Sequence, residues 1–93
     1  LFPAEIENVL LEHASIAECA VIGVPDERWG EVVTCFVRLN AGATLDRAGL
    51  DNHLAENLAR FKVPRAIVVR DSLPKTALGK VQHFALKKEL DGV

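Results

Sequence analysis

Residues 16–24 have the sequence IAECAVIGV, and this stretch decides the fold. A nearly continuous apolar run of that length is typical of a strand buried on both faces. Gly23 and Pro25-Asp26 end it. Residues 31–39 alternate instead and predict a second strand. One face of that strand is formed by Val33, Cys35, Val37 and Leu39.

Helical patterns surround these two strands. Pro3-Ala4-Glu5-Ile6-Glu7 is typical of a helix start, because proline suits the first turn and acids suit the positive end of the helix dipole. A second helix is predicted with Thr44 as its cap and Pro64 as its end. Its apolar positions are Leu50, Leu54, Leu58 and Phe61.

The remaining elements are a short third strand over residues 66–69 and a last helix over residues 81–90. The predicted order is therefore α-β-β-α-β-α. This order indicates an α+β fold in which a small three-stranded sheet is packed with helices.

Size and composition limit the functions that the chain can have alone. Its 93 residues predict one domain spanning 1–93, too small for an enzyme with a deep substrate cavity. The 49% hydrophobic content argues against disorder. There is no signal peptide pattern, and no apolar run approaches the roughly 20 residues of a membrane helix. The start at Leu1, with no methionine in the chain, suggests a piece of a longer protein.

Cysteine and histidine patterns favour neither a metal site nor a catalytic triad. Cys19 and Cys35 lie in apolar segments without a CxxC motif, so we expect buried free thiols in a reducing compartment, the cytoplasm. The histidines share no metal-ligand spacing; they are His13, His53 and His83.

Charge is distributed unevenly along the chain. Residues 1–59 carry ten acids and three bases, or −7, and residues 60–93 carry eight bases and three acids, or +5. The sum is the net charge of −2. Such a split is compatible with an anionic partner on the basic side and equally with a solvated surface.

The stretch Leu73-Pro74-Lys75-Thr76-Ala77-Leu78-Gly79-Lys80-Val81 is the most informative one for chemistry. Gly79 permits a tight or left-handed backbone, and a lysine held beside a helix start suits a phosphate oxygen. The motif is not a Walker A loop, because Pro74 and Val81 replace its first glycine and its Ser or Thr. An exposed loop lysine without a ligand is the plain alternative.

Two further stretches are candidates for ligand contact. Trp29 is the single tryptophan and lies in a polar turn, where it either caps the core or lines a ligand channel. The segment Arg60-Phe61-Lys62-Val63-Pro64-Arg65 can stack a base and neutralise phosphates. Alternatively, Phe61 belongs to the core and the bases are solvated.

Four motifs together carry a resemblance that no one of them would carry alone. They are residues 3–7 (PAEIE), 23–31 (GVPDERWGE), 61–64 (FKVP) and 73–81 (LPKTALGKV). In this order they resemble the small C-terminal domain of adenylate-forming enzymes: acyl-CoA synthetases, peptide-synthetase adenylation domains and luciferases. The resemblance covers essentially the whole chain and is strongest to acyl-CoA synthetases of the fatty-acid or aryl-acid type.

This resemblance implies a two-step reaction. A carboxylic acid and ATP give an acyl-adenylate and pyrophosphate, and CoA then displaces AMP to form a thioester. The implied partner is a large N-terminal domain of the same enzyme, joined through a hinge. Because the 93 residues include neither that domain nor the hinge, the resemblance implies that they are inactive alone. ATP, CoA and Mg²⁺ are implied for the intact enzyme, with no metal ligand, nucleic acid or membrane span in this domain.

The resemblance also implies roles for individual residues. Lys80 matches the adenylation lysine of the family, with Gly79 giving its loop reach. Trp29 and the segment 61–65 match places of CoA contact, with Phe61 near the adenine and Lys62 and Arg65 near phosphates. His83 stands where the family commonly has a basic residue.

Two other classes of function remain open from the residues alone. One is a free-standing module that binds a nucleotide or nucleic acid through its basic third. The other is a protein-interaction domain that uses exposed strand edges.

Overall fold

The computed structural model describes residues 3–28 and 30–90. Along the chain its elements are α1 (Pro3–Leu11), β1 (Ile16–Asp26), β2 (Gly30–Leu39), α2 (Arg47–Asn57), a 3₁₀ turn (Arg60–Lys62), β3 (Ala66–Val69) and α3 (His83–Leu90). The predicted α+β fold and its order α-β-β-α-β-α are thus confirmed. None of the described helices is long and apolar enough to cross a membrane.

The three strands form one sheet in the order β1-β2-β3. β1 and β2 are antiparallel, with the register running from Ile16 opposite Leu39 to Asp26 opposite Gly30. β3 is parallel to β2. An irregularity between Ile16 and Glu18 shifts the register at the start of β1. The central strand is therefore β2, and β1 lies at one edge.

Both faces of the sheet are buried, as the apolar run in residues 16–24 predicts. On one face α1 and α2 pack against the strands, and this cluster includes Leu10, Cys19, Val37 and Leu54. On the other face α3 and the loop before it pack against the strands through Ala20, Ile22, Phe36, Leu73 and Leu86. The loop that contains Lys80 therefore belongs to the α3 face.

The second helix differs from the prediction at both ends. Its N-cap is Asp46, whose side chain accepts a hydrogen bond from the Gly49 N–H at 3.0 Å, so Thr44 as the cap is wrong. The helix ends at Asn57, whose side-chain amide donates to the His53 carbonyl at 2.8 Å and so satisfies a carbonyl of the last turn. Phe61 consequently lies outside α2, in the 3₁₀ turn, and is 78% exposed.

The last helix begins at His83, two residues later than predicted. Val81 pairs with Lys75 in an antiparallel bridge, and the Gln82 N–H donates to the Pro74 carbonyl at 2.8 Å. Because these backbone groups are already engaged in a hairpin, the helix begins only after them. Gly79 and Lys80 thus lie ahead of α3 and not at its mouth.

The two cysteines are free and buried, as predicted. They lie near each other on β1 and β2, on the face covered by α1 and α2. Burial raises the pKa of the Cys19 thiol to about 12 and that of the Cys35 thiol to about 12. Both side chains therefore stay in the unreactive thiol form.

We expect both thiols of the folded 93-residue chain to resist a thiolate-specific reagent at pH 8. In urea they should return to the ordinary pKa of a free cysteine and react quickly. Ellman's reagent measures this directly: slow or no colour when folded, and two equivalents when unfolded. One equivalent released rapidly from the folded chain would contradict the packing of α1 and α2 on the sheet.

Candidate functional site

The motif around Lys80 folds as a short hairpin between β3 and α3. Its base is Leu73, which is buried against the sheet. Its arms are joined by the bridge between Lys75 and Val81 and by a hydrogen bond from the Thr76 N–H to the Lys80 carbonyl at 2.7 Å. The backbone that carries Lys80 is therefore fixed along both arms.

The tip of this hairpin requires a glycine. Gly79 has φ +86°, a left-handed conformation that the sequence allowed and that side chains disfavour. The Thr76 hydroxyl accepts hydrogen bonds from the N–H groups of Leu78 and Lys80, at 3.3 and 3.2 Å. These bonds hold the tip closed around the Thr76 side chain.

Lys80 itself is exposed at the end of this tip. Its neighbour Leu78 is 89% exposed. Within residues 3–28 and 30–90, no carboxylate lies within ion-pair distance of the Lys80 ammonium group. The hairpin thus presents an uncompensated cation on a well-defined backbone.

A carboxylate on the sheet holds the first arm of the hairpin. Glu18, on β1, contacts the Lys75 ammonium at 2.8 Å through Oε2 and the Arg38 guanidinium through Oε1. The hydrogen bond from Lys75, followed by that from Arg38, holds the pKa of Glu18 below its ordinary value. Sequence analysis singled out neither Glu18 nor Lys75 for a role in the site, and the strand register that sets Arg38 opposite Glu18 comes from the structure.

A second carboxylate lies at the start of α3. Glu7, on α1, contacts the His83 Nε2 at 2.6 Å and accepts a hydrogen bond from the Val21 N–H at 2.8 Å. Val21 lies on the edge strand β1, so Glu7 satisfies an edge backbone group and joins α1, β1 and α3. His83 is therefore engaged within the domain.

The segment after α2 forms one wall of a groove of about 380 Å³. The Arg65 N–H donates to the Val33 carbonyl at 3.0 Å and fixes this wall to β2. Phe61 and Arg65, both predicted, line the groove, whereas Lys80 does not. Arg60 and Val63, from the same predicted segment, also line the groove. The remaining lining residues, to which sequence analysis gave no ligand role, are Glu31, Val32 and Val33.

Lys62 has a different environment from its two predicted companions. Its ammonium group contacts Glu5, on α1, at 2.7 Å, and its side chain is only 18% exposed. It also lies 5.6 Å from the centre of the Phe61 ring. In this conformation Lys62 anchors the 3₁₀ turn to α1. The predicted Trp29 contact lies outside the described residues.

The described part of the chain contains no group of three or more His, Cys, Asp or Glu side chains that could hold a metal ion. The residues that stand out are instead cationic and aromatic. A phosphate-bearing ligand suits Lys80, and a base with phosphates suits the groove with Phe61, Arg60 and Arg65.

Comparison with known proteins gives a consistent result. Residues 5–80 match the family described as AMP-binding enzyme C-terminal domain. The chain is 51% identical over 82 residues to an indoleacetate–CoA ligase from Aromatoleum aromaticum, which covers 88% of this chain and 16% of that protein. It is 45% identical over 89 residues to a long-chain-fatty-acid–CoA ligase from Bacillus subtilis, covering 96% and 16%.

A solved structure agrees with these relatives. The acyl-CoA synthetase of Brucella canis superposes with a TM-score of 0.89 at 36% identity, covering 97% of this chain and 17% of that one. The chain thus spans about a sixth of the length of the curated relatives it matches.

Replacing Glu18 with glutamine should destabilise the domain in a pH-dependent way. The pKa of Glu18 is lower in the folded state than its ordinary value of 4.5. The ionised carboxylate therefore contributes fully to the free energy of unfolding above pH 4.5, and this contribution is lost as the pH falls through the folded-state pKa. We expect Glu18→Gln to cost at most about 1 kcal/mol at pH 7 and less at pH 3. Urea unfolding followed by circular dichroism measures both; Glu56→Gln, on the exposed side of α2, is the control. A cost that grows towards pH 3 would contradict the ion pairing.

Proposed function

The chain belongs to the family of AMP-binding enzyme C-terminal domains, and from that premise we propose that it is the C-terminal domain of an acyl-CoA ligase. The proposed reaction converts a carboxylic acid, ATP and CoA to acyl-CoA, AMP and pyrophosphate. The observation that carries this proposal is Lys80, which is exposed and has no ion-pair partner among the described residues, on a hairpin fixed by Thr76.

In the first step a carboxylate oxygen attacks the α-phosphorus of ATP, and the bond from that phosphorus to pyrophosphate breaks. Negative charge gathers where the two anions meet, so a cation that contacts both lowers the barrier. We assign this role to Lys80, with Gly79 shaping the turn that presents it. ATP enters as its magnesium complex, and we assign no residue of this domain to the ion.

In the second step the CoA thiol attacks the acyl carbonyl carbon, and AMP leaves with the electrons of the broken bond. The groove beside Phe61 supports a CoA site here, because an exposed ring can stack on adenine and arginines can neutralise phosphates. Arg65 takes the phosphate role. Lys62 keeps the turn in place through Glu5 and reaches a phosphate only by exchanging that partner.

The rest of the proposal concerns groups beyond these residues. Trp29 borders the pantetheine arm of CoA. Residues 1–93 form one mobile domain whose partner is a large N-terminal domain of the same enzyme. The two similar ligases are named for different acids, indoleacetate and long-chain fatty acids, so we assign the choice of acid to that partner domain. We place the enzyme in the cytoplasm. The alternative, a free-standing module that binds a nucleotide or nucleic acid, has no support in the comparisons.

In the intact enzyme, Lys80→Ala should lower the rate of adenylate formation by about 10²–10³-fold, because the charge at the reacting phosphate loses its cation. Pyrophosphate exchange measures this step. Thioester formation from supplied acyl-adenylate should be spared. Lys88→Ala is the matched control: Lys88 lies on α3, 5.3 Å from the centre of the Phe84 ring, and its loss should leave both steps unchanged. Normal exchange in the Lys80 variant would refute the assignment.

The groove gives a separate prediction for CoA. Phe61→Ala and Arg65→Ala should each raise the KM for CoA about 5- to 150-fold, the equivalent of about 1–3 kcal/mol, and leave pyrophosphate exchange intact. Phe84→Ala removes an equally exposed ring from α3 and serves as the control. If all three variants share one KM for CoA, the groove is not the CoA site.

A further inference from the structure

The geometry points to Glu18 as a positioning residue for adenylate formation: its ion pair with Lys75 holds the hairpin arm that faces Lys80. This inference rests on the proposed function, since it concerns how Lys80 is delivered to the reacting phosphate. Glu18 touches no substrate and acts through Lys75 alone.

The chain of contacts from Glu18 to Lys80 is short. Glu18 Oε2 lies 2.8 Å from Lys75 Nζ. Lys75 pairs through its backbone with Val81, the residue after Lys80. Thr76, the residue after Lys75, binds the Lys80 carbonyl at 2.7 Å and the Lys80 N–H at 3.2 Å. Lys80 thus takes its backbone position from the arm that Glu18 holds.

Glu18 is well suited to serve as a fixed point. It lies on β1 opposite Arg38 of β2, and its side chain is only 20% exposed. Each carboxylate oxygen contacts one cation, Arg38 on the sheet and Lys75 on the hairpin. Arg38 orients the carboxylate, and the second oxygen is left for the hairpin.

No other polar contact does the same work in the part of the chain that the structure describes. From residue 74 to residue 82, the hydrogen bonds join the two arms to each other or close the tip, apart from two to the first turn of α3. The pair Glu18–Lys75 is the ion pair that crosses from the hairpin to the sheet. Without it, the hairpin keeps its internal shape and the apolar packing of Leu73 and Val81 at its base, but it loses the ion pair that fixes the angle of its arm.

Because loss of the ion pair changes the angle of the hairpin and not its internal shape, we expect a loss of rate in one reaction step only. A displacement of about 1 Å at a reacting group can cost about 100-fold in rate. Lys80 is used only in the first step, so a tilted hairpin should slow adenylate formation and leave thioester formation unaffected. A role in stability alone would affect the two steps together.

The test uses the full-length enzyme with Glu18→Gln, Lys75→Met and Lys75→Arg. We expect the first two to lower the maximal rate of pyrophosphate exchange about tenfold with little change in the KM for ATP. Lys75→Arg keeps the charge and should recover most of the rate. Thioester formation from supplied acyl-adenylate should stay within about twofold of the wild type in all three.

Two controls make the result specific. Glu89→Gln breaks an ion pair of similar length, with Arg70 at 2.7 Å, that does not touch the hairpin, and it should leave exchange unchanged. Glu18→Gln in a Lys80→Ala background should cause no further loss, because positioning has no effect once the ammonium group is gone.

The outcomes separate the inference from the proposal beneath it. If Glu18→Gln and Lys75→Met both exchange pyrophosphate as fast as the control Glu89→Gln, Glu18 has no positioning role. The positioning role is also overturned if adenylate formation and thioester formation slow equally. It is overturned as well if Glu18→Gln lowers pyrophosphate exchange as much in the Lys80→Ala background as in the wild type. If Lys80→Ala itself exchanges normally, the proposed role of Lys80 fails, and the inference fails with it. Lys75 is partly exposed, so its variants keep the test open should Glu18→Gln fold poorly.

Discussion

Burial of the β1–β2 pair on both faces is the constraint on which the rest of the domain depends. Neither face of an apolar pair such as Val21 and Ile22 can remain in water, so helices must cover the sheet on both sides. α1 and α2 supply one layer and α3 the other. The connection from β3 to α3 must then cross to the second face. The Lys80 hairpin lies on this connection, and its place follows from the core.

Long-range ion pairs join the acidic first part of the chain to the basic last part. Glu5 pairs with Lys62, and Glu18 pairs with Lys75. Glu7 and the His83 ring add a third such link, a contact at 2.6 Å. The charge split between residues 1–59 and 60–93 is therefore partly internal pairing, not only a surface for an anionic partner. In each pair an acid from α1 or β1 fixes a segment that follows α2. Lys80 differs from these cations in that the described residues leave it unpaired.

Local patterns in the sequence predicted most of the fold. The strand alternation identified the face of β2 that carries Cys35 and Val37, and the left-handed backbone of Gly79 is one of the two conformations that the sequence allowed. The errors occurred where two local signals compete. Thr44 and Asp46 are both good caps, and Val81 fits either a helix or a strand. Glu18–Lys75 could not be predicted, because residues 57 apart meet only after β3 and its hairpin are packed.

Exposure of Lys80 is consistent with the proposal that so small a domain acts together with a partner domain. Two unit charges 4 Å apart interact by about 1 kcal/mol in water and by about 4 kcal/mol at the effective dielectric near a protein surface. An ammonium group at a solvated hairpin tip therefore stabilises a phosphate transition state only weakly. It becomes effective when a second surface covers it and excludes water. The exposed Leu78 beside it gives such a surface apolar area to bury. Under the proposed function, the hairpin that carries Lys80 is therefore half of an active site, and the covering surface supplies the other half.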